Sequence, residues 1–371
     1  MKKFLLFVLM LLPLVASADD SGKCGENVYY HYNSTNHTLT IYGEGAMESV
    51  DIGNIGTPWG AYRNEIHSLI IEDGVTEISG SAFTGCSGLT SLTIPNSVTS
   101  IGGSAFSGCS GLTSIQVESG NQKYDSRNNC NAIIDNNNQL IAGCRNTIIP
   151  NSVTSIGTSA FYGCSGLTSI TLPQNIVYIG SYAFWDCKDL VYITLPLNLN
   201  CIDLEAFDGC YNITDIYCKA KNVMLLGADD MPFFPSQDAT LHVPSGSLEH
   251  YKNNVLWGGF KSYLELSDND LYASEKCSKP SISIVDGKFI FNCETSGIRY
   301  KWRIATPSGN NGSYSIVPSS ITLYVYATKS GYLPSDVATY EFSGLAGDVN
   351  NDGEVNVADH VKLSDIIMGQ E

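Results

Sequence analysis

Near the C-terminus, the run Asp348-Val349-Asn350-Asn351-Asp352-Gly353-Glu354-Val355-Asn356-Val357-Ala358-Asp359 places oxygen-bearing side chains at loop positions one, three, five, nine and twelve. Calcium takes about six to eight oxygens, and a loop this short can wrap the ion only with a sharp turn in its middle. Gly353 stands at position six, where that turn falls, and Glu354 at position seven would give its backbone carbonyl. The spacing predicts one calcium ion held by Asp348, Asn350, Asp352, Asn356 and Asp359 with the Glu354 carbonyl, followed by a helix from Val357 onward whose apolar residues are Leu363, Ile366 and Ile367.

No other group of residues has a spacing suited to chemistry. The histidines, His31, His37, His67, His242, His250 and His360, are scattered, with no H-E-x-x-H and no phosphate-binding loop. Gly108-Cys109-Ser110-Gly111 approaches a nucleophile elbow, but it recurs in phase elsewhere and reads as a turn. An enzyme needs an acid, base or nucleophile brought together in one place. None is expected here, and no catalytic residue is assigned. The 12 cysteines contain no C-x-x-C pair, so zinc has no support.

Most of the chain is a repeat. Ala-Phe recurs at Ala82-Phe83, Ala105-Phe106, Ala160-Phe161, Ala183-Phe184 and Ala206-Phe207, with phenylalanine spacings of 23, 55, 23 and 23. The wide gap holds one longer unit, Ile115 to Asn146. The unit from Leu92 to Ser114 shows the grammar. A short strand at Leu92-Thr93-Ile94 turns at Pro95-Asn96, and an extended piece runs from Val98 to Ile101. After Gly102-Gly103, Ser104 to Cys109 is long enough for one helical turn. A unit this short buries its apolar residues only against copies of itself, so the repeats are expected to stack as a solenoid with parallel strands. The five phenylalanines then form one internal column. Cys86, Cys109, Cys164, Cys187 and Cys210 form a second, as reduced buried fillers, because equivalent side chains on neighbouring coils run parallel, a poor geometry for a bridge. On one strand face the side chains pointing outward are Ser91 and Thr93, Ser114 and Gln116, Ser169 and Thr171, Tyr192 and Thr194, then Asp215 and Tyr217. Small hydroxyls give way to tyrosines, which marks Tyr192, Thr194, Asp215 and Tyr217 as the candidate ligand end.

The pattern Ile-Pro-Asn-Ser-Val-Thr-Ser-Ile-Gly-x-x-Ala-Phe-x-Gly-Cys-Ser-Gly-Leu-Thr-Ser, at 94–114 and 149–169, resembles BspA-type leucine-rich repeats. The resemblance covers about 69–218. Cys24-Gly25-Glu26-Asn27-Val28, Leu39-Thr40-Ile41-Tyr42-Gly43 and Trp59 look like that family's N-terminal cap, over 19–68. Thr240-Leu241-His242-Val243-Pro244, Tyr251 and Trp257 look like its closing segment, over 219–266. What the resemblance implies is a secreted or surface protein that adheres to, or binds, a protein or glycan ligand.

From Lys279 the period changes to two. Ser281-Ile282-Ser283-Ile284-Val285 and Lys288-Phe289-Ile290-Phe291-Asn292 flank Asp286-Gly287, a tight-hairpin signal, and Ile321 to Ala327 alternates again. A small β-sandwich is expected over 275–345, and Val325 to Tyr332 resembles chitobiase C-terminal-like modules. With Val285 opposite Lys288, Cys277 and Cys293 are not direct cross-strand partners, and their bonding stays open. The calcium-loop segment, 347–371, resembles half of a type I dockerin. That family reads its cohesin partner at loop positions ten and eleven, here Val357 and Ala358. The resemblance implies an alternative role as a non-catalytic, dockerin-tethered component of a polysaccharide-degrading assembly.

The fold expected is therefore mainly β: a leucine-rich-repeat solenoid of 23-residue repeats, a small β-sandwich and a calcium-loop helix. At the other end, Lys2 and Lys3 precede an apolar run from Phe4 to Val15 that closes with Ala16-Ser17-Ala18, a secretory signal peptide over 1–18. No stretch reaches the roughly 20 apolar residues of a membrane span. The net charge of -17 repels phosphate backbones, so nucleic acid is not an expected partner.

Overall fold

The computed structural model describes residues 19–48, 56–203, 205–225, 238–254, 257, 259–273, 275–285, 288–305 and 320–343. The signal-peptide segment and the calcium-loop segment lie outside the described residues. What is described is a solenoid of stacked coils with a small β-sandwich docked on one face.

Each regular coil contributes three sides. The first is a strand of a parallel ladder, which the inserted unit divides into two sheets. Ser68–Ile71, Ser91–Ile94 and Ser114–Val117 run side by side, and so do Ser169–Thr171, Tyr192–Leu195, Asp215–Cys218, Thr240–Pro244 and Ser262–Leu266. Pairing is in register with the repeat, Ser91 opposite Ser114 and Tyr192 opposite Asp215. Alternate residues such as Leu92, Ile94, Ile193 and Ile216 point into the core. The second side is a two-residue strand from the Val-x-x-Ile stretch, as in Ser155–Ile156, Tyr178–Ile179 and Cys201–Ile202.

The third side differs from expectation. The Ala-Phe segment is not a helical turn. The residue before each alanine, Ser81, Ser104, Ser159, Tyr182 or Glu205, has a positive φ between 51° and 58°. A second left-handed residue follows at Gly85, Gly108, Gly163, Asp186 or Gly209. Glycine takes that conformation without steric cost, and Asp186 is one of the few alternatives that tolerate it. The chain thereby turns outside helical geometry, and its amides bond from coil to coil. Phe83 N–H donates to Ala105 O at 2.8 Å, Phe161 N–H to Ala183 O at 2.7 Å and Phe184 N–H to Ala206 O at 2.7 Å. A helix would spend those donors internally.

The phenylalanines are all buried, but in two stacks instead of one column. Trp59, Phe83 and Phe106 stack at 5.6 Å per step, and Phe161, Phe184 and Phe207 at 5.1 Å. Between them stands the long unit, a hairpin of Ala132–Asp135 and Gln139–Gly143. Gly143 N–H takes the Ala160 carbonyl at 2.8 Å, the role a phenylalanine amide plays in regular coils. A Cβ on Gly143 would lie 2.2 Å from the Phe161 ring, so only glycine fits. The turn side bridges the insertion through Gly108 N–H to Tyr162 O at 2.8 Å. The core accordingly divides into two clusters, one on each side of the hairpin.

The ends are closed by different means. At the start, the antiparallel hairpin of Val28–Asn33 and Thr38–Gly43 caps the sheet, and Trp59 covers Phe83 while donating to Ala82 O at 3.0 Å. At the far end the parallel ladder runs past residue 218, through Thr240–Pro244 to Ser262–Leu266. Tyr251 and Trp257 plug the core there, bonding Ala220 O and Val223 O.

The sandwich follows. Ser281–Val285 and Lys288–Asn292 form the hairpin in the expected register, Val285 opposite Lys288. Arg299–Ala305, Ser320–Thr328 and Ala338–Ser343 make the second, antiparallel sheet. Phe289, Ile304, Leu323 and Val325 fill the space between.

Phe184 is held between two rings and has no exposed surface. Phe184→Ala is expected to cost about 3–5 kcal/mol, transfer and cavity terms together, measured by urea denaturation of the full chain. A loss under about 1 kcal/mol would contradict the stacked-ring core.

Candidate binding surfaces

The four residues marked as the ligand end do point outward from the main sheet, but they do not face solvent. Tyr192, Thr194 and Asp215 are buried and Tyr217 is half-buried, because the sandwich sits on them. The strand Ser320–Thr328 explains how. Its Leu323 and Val325 face the sandwich core, while Tyr324 and Tyr326 on the opposite face pack against Val191 and Tyr192. Tyr192 and Tyr326 stack at 4.8 Å, and Tyr192 Oη donates to Ser335 O at 2.7 Å. Tyr324 Oη donates to Asp189 Oδ1 at 2.7 Å, and Arg303 to Tyr211 O at 3.0 Å. The expectation that Tyr192, Thr194, Asp215 and Tyr217 form an open ligand surface is corrected on this point: the tyrosines serve a neighbour in the same chain. The signal is Tyr324 and Tyr326, large rings on the strand face opposite Leu323 and Val325.

Asp215 anchors this junction. His242 Nε2 lies 2.7 Å from Oδ1, Lys301 Nζ and Tyr326 Oη bond the same carboxylate, and Thr214 Oγ1 donates to Oδ2 at 2.9 Å. Burial pushes the Asp215 carboxyl up, but the bond from His242, the charge of Lys301 and the Tyr326 hydroxyl outweigh it and hold the group well below the usual carboxylate range.

Beside the junction, a cleft of about 550 Å³ opens between the last coils and the sandwich. Its floor includes Lys219, His242 and Tyr217, and its far wall Arg299, Lys301 and Tyr332. Tyr217 stacks on His242 at 4.3 Å, and Lys329 Nζ lies 4.5 Å above the Tyr332 ring.

The strand face away from the sandwich is open. Ser91, Thr93, Gln116 and Thr171 are exposed, Ser114 and Ser169 half-buried, and Ile70 is 47% exposed. Tyr29 and Tyr42, stacked at 5.8 Å, stand exposed on the cap that continues the same sheet.

The cysteine ladder is packing. All twelve cysteines are free thiols, Cys277 and Cys293 included. Cys109, Cys187 and Cys210 donate their S–H groups to Phe83 O, Phe161 O and Phe184 O of the preceding coil at 3.0 to 3.2 Å. Burial raises Cys86 and Cys218 to about 12 and Cys109, Cys164 and Cys187 well above the ordinary thiol range. A thiol held protonated is a poor nucleophile and metal ligand. Among the described residues no group of three or more His, Cys, Asp or Glu is placed to hold a metal ion. The calcium candidates Asp348, Asn350, Asp352, Glu354, Asn356 and Asp359, and the partner-reading candidates Val357 and Ala358, lie outside the described residues. No helix among the described residues is long and apolar enough to cross a membrane.

Coils built on in-register Ala-Phe turns and a parallel strand ladder define a leucine-rich-repeat solenoid. Its repeat region, 60–136 and 131–229, matches the BspA type leucine rich repeat region in six copies. Among solved structures the chain is similar to a leucine-rich repeat protein from Eubacterium ventriosum, at 18% identity over 70% of this chain and 87% of that one, with a TM-score of 0.33. It is similar also to the pneumococcal vaccine antigen PcpA, at 14% identity over 66% and 100%, TM-score 0.36. A leucine-rich repeat protein from Bacteroides ovatus shows 19% identity over 68% and 63%, TM-score 0.31. No curated protein matches the chain.

Two outcomes are expected. Alkylation in denaturant without reductant should label all twelve cysteines by intact mass, whereas the native chain should label mainly the half-buried Cys201 and Cys293. A denatured mass short by two labels would reveal a disulfide. For the junction, a carboxyl with a lowered folded pKa stabilises fully above its unfolded value near 3.8, and the contribution is lost only as pH falls through the lower folded value. Hydrogen-exchange protection of Ser320–Thr328 should therefore persist at pH 4. Asp215→Ala, which leaves His242 and Tyr326 without their acceptor, should reduce that protection by about 1–3 kcal/mol; equal protection in the variant would remove Asp215 as the anchor.

Proposed function

We propose that this chain is an exported, non-catalytic binding protein that uses the open strand face of its solenoid, at the cell surface or beyond it, to hold a protein or glycan ligand. One observation carries the reading. The outward side chains of Ser68–Ile71, Ser91–Ile94, Ser114–Val117 and Ser169–Thr171 are uncharged on a chain of net charge -17, and they present Ile70 among hydroxyl and amide groups that are in register over the first three of these strands. An uncovered strand face that sets an apolar side chain among neutral hydrogen-bonding groups is suited to a partner. The apolar run before Asp19 supports export. Alternating sheet periodicity and dispersed histidines support a role without catalysis.

Ile70→Asp and Thr93→Asp test the reading, since substitutions at such exposed sites usually change stability by under about 0.5 kcal/mol. The full chain is screened against a glycan array and a panel of extracellular matrix proteins. The double variant should lose tenfold or more in affinity for whatever the parent binds, with Tm unchanged. Binding that survives both charges would move the site elsewhere.

A second reading rests on the C-terminal loop. The twelve-residue spacing supports one calcium ion held by Asp348, Asn350, Asp352, Asn356, Asp359 and the Glu354 carbonyl. It also supports a dockerin-like tether to a cohesin-like partner through Val357 and Ala358, on a polysaccharide-degrading assembly. Four carboxylates in so short a loop, three of them ligands, repel one another until a cation offsets their charge. Calorimetry on the full chain should give one calcium at about 10⁻⁴–10⁻³ M, in the range of extracellular modules, abolished in Asp348→Ala/Asp352→Ala. Equal heat from that variant would defeat the assignment.

A further inference from the structure

We propose that the cleft between the last solenoid coils and the sandwich is a second binding site, for a carboxylate-bearing sugar. The first observation is charge. The chain carries 37 acidic and 20 basic side chains, yet four of the basic ones, Lys219, Arg299, Lys301 and Lys329, line this cleft against only Glu265 and Asp270. Lys301 is already matched by Asp215 beneath it.

The second observation is Lys219. It is 2% exposed, and among the described residues its ammonium bonds only Ala273 O, at 3.3 Å, with no carboxylate within ion-pairing distance. A buried ammonium with three donors and a single long carbonyl contact is under-satisfied. Burial lowers its proton affinity, with Asp270 working against that. An anion entering the cleft would supply the missing acceptor. Arg299 on the facing wall is exposed, and its guanidinium has no partner among the described residues, which leaves its planar fork open to a carboxylate.

The rest of the lining selects the kind of anion. Tyr217 and Tyr332 offer ring surface, as the apolar face of a pyranose requires. Thr194, Thr328 and Ser330 give hydroxyls, and Glu265 accepts from sugar hydroxyls. A volume near 550 Å³ fits one or two sugar units. Donors, acceptors and rings together around two available cations describe a polyol acid better than a bare inorganic anion. The site is separate from the open strand face, and neither needs the other.

The test is calorimetry on the full chain at low ionic strength with galacturonate, N-acetylneuraminate, galactose, glutarate and inorganic phosphate. Saturable binding of at least one sugar acid, absent with galactose and weakened by added salt, is expected. Arg299→Gln should weaken it tenfold or more with Tm unchanged, and so should Lys219→Met where that variant folds. If Lys219→Met does not fold, the exposed Arg299 decides alone. No binding of either sugar acid, or unchanged affinity in Arg299→Gln, overturns the proposal. Equal binding of glutarate or phosphate overturns the sugar assignment. Ligand capture through Ile70 and Thr93 should be unaltered in Arg299→Gln, so failure of the cleft and failure of the strand face are read separately.

Discussion

The structure depends on the amides of the Ala-Phe turns, at Phe83, Phe161 and Phe184, reaching the next coil. Because a left-handed residue stands on either side of the turn, the phenylalanine N–H cannot close a helix and bonds outward instead. That one choice aligns the rings and puts the Cys109, Cys187 and Cys210 S–H groups under a carbonyl of the coil before. Parallel strands on the opposite side then fall into register with the repeat. Each coil supplies its neighbour's missing partners, so no coil has a core by itself.

A stack of this kind leaves two exposed ends, and the chain closes each with large aromatics. Trp59 ends the phenylalanine stack at the start, and Tyr251 with Trp257 seals the last coils. The inserted hairpin divides the strand ladder into two sheets, and the coils stay joined across it by the backbone bonds of Gly108 to Tyr162 and of Gly143 to Ala160, where Gly143 brings bare backbone against Phe161. Stability is thus local and nearest-neighbour in character, with the junction at Asp215 as an additional clamp between repeat region and sandwich.

That clamp also divides the molecule's surface. Tyrosines at 192 and 217 look like binding residues because they are large, aromatic and outward on an exposed type of face. In the structure Tyr192 is a contact within the chain and Tyr217 a half-buried part of the cleft lining, and the strand surface left uncovered is the plainer stretch of hydroxyls nearer the N-terminus. Binding surface on a solenoid with an appended module is what the module leaves uncovered.

The sequence by itself determined the repeat, its period, the burial of all five phenylalanines and the packing role of the cysteines, because these follow from nearest-neighbour periodicity that is written locally. It determined the sandwich hairpin too, since Asp286-Gly287 between alternating runs fixes the register of Val285 and Lys288. The turn geometry at Ser104 to Cys109 was not legible: backbone φ at Ser104 is set by hydrogen bonds to another coil, which no local propensity records. The split of the phenylalanine column was decided by where residues 132–143 lie. The fate of Tyr192, Thr194, Asp215 and Tyr217 was decided by a module more than 100 residues away, since Tyr326 reaches Asp215 only once both units have folded. Tertiary structure alone also brought Lys219 of the solenoid together with Arg299, Lys301 and Lys329 of the sandwich in one cleft. Contacts of long sequence separation leave no periodic trace, and the two walls of the cleft meet only through them.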